Sequence, residues 1–174
     1  LSKAFYADAF KPINGEMPRL GDLMVITKNN SLNGPINRNF ALLGDPSMRL
    51  AYPQYQVKVT QVNGKDTSEP QDTINALGQV TINGEVRDLQ GNLLENFDGT
   101  LDITVFDKEQ TISTLGNEGS RMQFNERNSK IYIGKASVKS GKFTFTFIVP
   151  KDINYQFGQG KWSFYAQSSD GKTD

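Results

Sequence analysis

Cysteine and histidine are both absent from the 174 residues. Without cysteine there is no disulfide, thiolate metal site, redox motif or thiol nucleophile. Without histidine there is no imidazole to serve as general base or zinc ligand. A surplus of either charge is also missing, since 19 Lys and Arg balance 19 Asp and Glu. A nucleic-acid partner needs a basic surplus to displace counterions, and a membrane-surface segment needs a polybasic run. Neither partner is expected. Apolar runs last only a few residues, too short for a transmembrane helix. Residues 1–10 lack the charged start and long apolar run of a secretory leader. The chain opens without Met, on residues with helical character, and reads as a cut inside a larger protein.

What is present is strand chemistry. Eleven Phe and 6 Tyr are punctuated by 16 Gly and 7 Pro. The first fifty residues differ from the rest and predict helix, helix, strand. The first helix spans residues 1–11 and stops before Pro12. The second has Pro18 in its first turn, then Leu20, Leu23, Met24 and Thr27 at helical spacing, and ends at Asn29-Asn30 and Gly34-Pro35. Residues 40–43 read as a short buried strand. From Tyr55 the period becomes two, and about seven strands follow: 55–59, 80–86, 101–106, a hint at 122–124, 132–138, 143–149 and 162–166. Turn dipeptides such as Asn63-Gly64, Asp98-Gly99 and Ser140-Gly141 separate them. The pattern predicts a mainly β fold, an antiparallel β-sandwich, with the boundary at Tyr52-Pro53 and the sandwich over residues 53–174.

Ser140-Gly141 predicts a two-residue hairpin loop. It sets Val138 opposite Phe143, Ala136 opposite Phe145, Gly134 opposite Phe147 and Tyr132 opposite Val149. The Phe side is then the core side, and Thr144 and Thr146 face away.

The residues offer little catalysis. With no imidazole, only a Ser–Lys arrangement remains for a nucleophile, and Ser137 between Lys135 and Lys139 reads better as a solvated strand face. Asp98 with Asp102, and Asp107 with Glu109, are carboxylate pairs at turns and strand ends rather than in a cleft. Asp88, Gln90, Asn92, Asn96 and Asp98 cluster in one loop. Such oxygen ligands suit calcium, and the same residues stabilise turns with no ion present. No other cofactor is expected. In Gly44-Asp45-Pro46, Gly permits a sharp turn, the residue before Pro is held extended, and the Asp carboxylate can hold nearby backbone N–H groups. Phe40, Leu42, Leu43, Gly44, Asp45 and Pro46 therefore form a candidate structural motif.

The stretch Asn37-Arg38-Asn39-Phe40-Ala41-Leu42-Leu43-Gly44-Asp45-Pro46-Ser47-Met48-Arg49-Leu50 resembles the close of the catalytic domain in gingipain-like cysteine peptidases. Later stretches resemble the immunoglobulin-like domain that follows it in the type IX secretion sortases of Bacteroidetes: Asp88-Leu89-Gln90-Gly91-Asn92, Asn96-Phe97-Asp98-Gly99-Thr100, Tyr132-Ile133-Gly134-Lys135-Ala136 and Phe147-Ile148-Val149-Pro150. The resemblance implies an outer-membrane-surface peptidase that removes a C-terminal sorting signal from secreted cargo and joins the new end to lipopolysaccharide. The catalytic Cys and His of that family have no counterpart here, so the chain is expected to be inactive alone. Residues 1–52 would be the end of the catalytic domain, and 53–174 an immunoglobulin-like sandwich lacking its last strand. Implied partners are the upstream catalytic domain, other secretion components and cargo C-terminal domains, with self-association of the piece. The alternative is an independent immunoglobulin-like binding module of a bacterial surface protein.

Overall fold

The computed structural model describes residues 2–31, 39–117, 119–153 and 158–169. They fall into two compact units, Leu1–Pro53 and Gln54–Asp174.

The first unit holds helices α1 (Ser2–Asp8) and α2 (Leu20–Asn30). Leu23 and Thr27 lie one turn apart on α2 and are fully buried, as is Ala9 just beyond α1. This repeat at four residues is what puts one helix face inward. Polar contacts join the helices on the exposed side, where Asp8 accepts from Asn30 Nδ2 at 2.9 Å and from Lys11 Nζ at 2.9 Å. Three expectations need correction. The first helix stops at Asp8, and Lys11 N–H turns back to the Asp8 carbonyl at 3.1 Å, ahead of Pro12. Pro18 precedes the second helix instead of entering it, because Arg19 is extended and serves as its N-cap residue. Residues 40–43 form no strand. A strand needs a neighbouring edge for its backbone groups, and among the described residues of this unit the one bridge available in this stretch goes to Arg49, from Arg19. Phe40 is 49% and Leu43 96% exposed, so the segment is not buried either. Gly34-Pro35, Asn37 and Arg38 lie outside the described residues.

Among the described residues, the strands of the second unit all pair antiparallel. Its strands are β1 (Tyr55–Val62), β2 (Lys65–Asp66), β3 (Gln79–Asp88), β4 (Gly99–Phe106), β5 (Gln110–Ser113), β6 (Gln123–Glu126), β7 (Lys130–Lys139), β8 (Lys142–Ile148) and β9 (Lys161–Ser168). Seven form one sheet in the order β2-β1-β3-β8-β7-β4-β9, and among the described residues β5 pairs only with β6. The sheet curls until β9 approaches β1, so two layers face each other across one core. Burial alternates along β3 as far as Arg87 and along the whole of β8, as one solvated face demands.

The β7–β8 hairpin has the predicted turn and its first pair, Val138 with Phe143. Ser140 and Gly141 both have positive φ, as a two-residue turn of matching twist requires. Beyond that pair the predicted register fails. β8 leaves β7 and pairs along its length with β3, while β7 pairs with β4, setting Ala136 beside Leu101 and Gly134 beside Ile103. The corner at Ser140-Gly141 is where the sheet folds over itself. Facing does hold: Phe143, Phe145 and Phe147 are buried, and Thr144 and Thr146 are exposed. Their rings meet rings of the other layer, Phe143 with Phe164 at 6.0 Å and Phe147 with Trp162 at 6.1 Å between centroids. Each buried Phe contributes about 1.5–3 kcal/mol, and a well-placed ring pair adds about 0.5–1.5 kcal/mol. Gly134 makes room for Tyr132, whose ring lies over it and stacks on Phe147 at 4.8 Å.

Candidate functional site

The described residues carry one motif from the sequence reading that acts as a unit, the turn around Asp45. The α2 N-terminus has no side-chain cap among the described residues, so its first N–H groups need other acceptors. The turn supplies them. Leu20 N–H donates to the Met48 carbonyl at 2.8 Å, and Gly21 N–H donates to the Pro46 carbonyl at 2.9 Å. Asp45 shapes the turn by accepting from Ser47 N–H at 2.8 Å and Ser47 Oγ at 2.7 Å. These bonds favour the ionised carboxyl and hold its pKa below the ordinary value of 3.8. A side chain at position 21 would meet Pro46 at 2.9 Å, so only Gly allows the approach. Arg49 adds an ion pair to Glu16, and Tyr52 Oη donates to the Pro18 carbonyl at 3.2 Å. Gly44, Asp45 and Pro46 thus clip a helix end. Phe40 and Leu43 do not pack into the clip and stay exposed, with Leu42 half-buried.

Several other apolar side chains of the first unit are exposed. Tyr6 is 71%, Phe10 62% and Val25 59% exposed, and Met48 is 56%.

The predicted cation loop divides between two turns. Asp88 accepts from Gln90 N–H at 3.0 Å and from Asn92 N–H at 2.8 Å and Nδ2 at 3.0 Å. Asp98 accepts from Ser140 N–H at 2.8 Å and Lys139 Nζ at 3.0 Å. Both carboxyls are held below their usual range, Asp88 first by Asn92 and Asp98 first by the Ser140 N–H. Asn96 has no hydrogen bond to either carboxylate among those described. No three His, Cys, Asp or Glu side chains gather as metal ligands among the described residues.

Asp98 has a role that the sequence did not reveal. Its carboxylate binds the Ser140 N–H, which steadies a non-glycine residue at positive φ, and its carbonyl accepts from Ser169 N–H at 2.9 Å. Beside it, Gly141 N–H donates to the Phe97 carbonyl at 2.8 Å. One loop therefore ties the β7–β8 corner to the end of β9. Only Asp98-Gly99 as a turn signal pointed there, and a turn signal names no distant partner.

The other candidate carboxylates are tied to cations. Asp102 pairs with Lys135 at 3.0 Å, Asp107 with Lys108 at 3.2 Å, and Glu109 with Arg127 at 3.2 Å. Lys135 and Lys139 beside Ser137 are thus both engaged with carboxylates.

No family model matches the chain, and no curated protein matches it. Among solved structures it is similar to the crystal structure of dimeric latent PorU from Porphyromonas gingivalis, with 31% identity, a TM-score of 0.62 and 95% of this chain covered. The chain spans 16% of the length of that PorU chain. Its fold is PorU-related.

Proposed function

We propose that the chain is a non-catalytic part of a gingipain-like cysteine peptidase of the sortase type, processing C-terminal sorting signals at the outer-membrane surface. The observation that carries this reading is the match of 95% of the chain to 16% of PorU at 31% identity. The exposed apolar side chains of the first unit add to it. Tyr6, Phe10, Val25, Leu43 and Met48 suit burial against a further domain. In this reading the Asp45 clip holds α2 in place at the edge of the peptidase domain, and the second unit is an immunoglobulin-like domain that braces it. The nucleophile and base lie elsewhere in the longer polypeptide, since no Cys or His is present here.

The test is to express the natural reading frame whole and without residues 1–53, and to assay both on a sorting-signal peptide. Loss of cleavage on deletion, with the second unit still folded, supports the reading. Full cleavage without those residues, or a reading frame with no peptidase domain, overturns it in favour of an independent binding module.

We also propose that the chain self-associates. The PorU of the matched structure is dimeric, and exposed apolar side chains occur on both units here.

A further inference from the structure

The β5–β6 ribbon belongs to no larger sheet among the described residues. A two-stranded ribbon is at best marginally stable in water by itself. Ile112 is paired with Phe124, and the next pair on the same face is Thr114 with Met122. The middle of this face is apolar and open, with Phe124 48% and Met122 69% exposed, and the Gln110–Glu126 pair makes one end of it polar. The opposite face is polar, where Thr111 Oγ1 bonds Asn125 Oδ1 at 3.0 Å.

The hydrogen-bond phase determines which backbone groups point outward. Thr114 N–H donates to the Met122 carbonyl at 2.9 Å. Even-numbered residues of β5 therefore spend their N–H and C=O groups on β6, and Thr111 and Ser113 turn theirs to the outer edge. β5 is short, but among the described residues that edge carries no Pro, no bulge and no charged residue between Gln110 and Ser113.

We infer that the outer edge of β5 pairs with β5 of a second copy about a two-fold axis, giving a four-stranded sheet. Centred on Ile112, antiparallel self-pairing sets Thr111 opposite the second copy's Ser113, and both residues exchange both bonds. Ile112 then meets its own counterpart on the apolar face, flanked by Phe124 and Met122 from each copy. Charge selects β5 over β6. On β5 the same register sets Gln110 against Thr114 and Glu109 against Leu115. On β6, self-pairing centred on Phe124 sets Arg121 against Arg127 on both sides, and opposed like charges are destabilising.

This inference rests on the self-association reading above, and the experiment separates the two. The full chain is sedimented from about 10 μM to about 1 mM, the range for a small interface. The expected result is association with a dissociation constant raised at least about tenfold by Ser113→Pro, which removes one outward N–H, and by Ile112→Lys. Gln123→Pro, which removes an outward N–H from β6, should leave the constant unchanged. Amide exchange at Thr111 and Ser113 should slow as concentration rises, a readout independent of any variant's folding. If the chain associates, but Ser113→Pro has no effect or Gln123→Pro weakens association equally, the β5 assignment is overturned and self-association stands. A monomer across the whole range overturns both.

Discussion

Gly84 provides the sharpest test of the packing. It lies on the core face of β3, fully inside, and a Cβ placed there would overlap the Phe143 ring and stand 2.7 Å from the Lys58 carbonyl oxygen. Phe143 is itself 3% exposed, and its ring is hemmed by Phe145 and Phe164 at centroid distances of 6.3 and 6.0 Å. The ring has little room to retreat, and the carbonyl belongs to the β1–β3 ladder. Overpacking of one methyl group costs about 1–3 kcal/mol, and two obstacles put Gly84→Ala at the upper end, about 3 kcal/mol. Phe143→Leu opens space on one side only. The double variant should therefore be about 1 kcal/mol less damaged than the sum of the singles, a coupling within the usual range for residues in contact. Urea unfolding followed by Trp162 fluorescence measures all four proteins, with constant slope as the check that only stability changed. Strict additivity, or a Gly84→Ala cost under about 0.5 kcal/mol, would show that Phe143 does not occupy the space above Gly84.

Phe145→Ala should cost about 3–5 kcal/mol, whereas Thr144→Ala, which loses one exposed bond to Asn83, should cost about 0.5–1 kcal/mol; equal costs in urea would contradict the facing of β8. Thr27 Oγ1 is buried and has no hydrogen-bond partner among the described residues, so Thr27→Val should stabilise α2 by about 1 kcal/mol, and a loss of helical signal on mild heating would refute this. The Asp45 carboxyl has a lowered pKa in the folded chain, so its contribution is present above the unfolded value of 3.8 and fades as pH falls through the lower folded value. Acid titration by circular dichroism should therefore loosen α2 only below about pH 3.8, and Asp45→Ala should shrink that step, the remainder coming from Asp8, whose carboxyl is also held low and accepts from Asn30. The chain alone should show no cleavage of a sorting-signal peptide, since it has neither thiolate nor imidazole; turnover surviving serine-protease inhibitors would count against this.

Most of the sandwich was legible because its strands alternate. Val80, Ile82 and Val86, or Leu101, Ile103 and Val105, announce one buried face each, and Asn63-Gly64 and Ser140-Gly141 announce turns of the right hand. Pairing was less legible. A turn dipeptide fixes only its nearest pair, and it was core closure that sent β8 to β3 and β7 to β4. β5 escaped notice because Ile112 is its one apolar residue. Residues 40–43 misled for the opposite reason: an apolar run predicts burial, but not the surface that will bury it. At the candidate site, Gly44-Asp45-Pro46 signalled a turn, and its target, the first turn of α2, has no local signature. The loop acids showed the same limit, since Asp98 reaches across to Ser140 through contacts that only the fold creates.

The early divergence of β7 from β8 bears on how the domain folds. A hairpin that zips from its turn can form before the rest of a protein collapses. Here the turn secures only Val138 with Phe143 and Lys139 with Lys142, and each strand finds its long partner elsewhere, β3 for one and β4 for the other. Those partners are distant in sequence, so large loops must close before most of the ladder gives any return. Folding of this topology belongs with the slower, non-local class. During that search the Phe-rich β8 strand is held near the corner with its final neighbours not yet in place, the stage at which such a chain is most open to pairing with the wrong one.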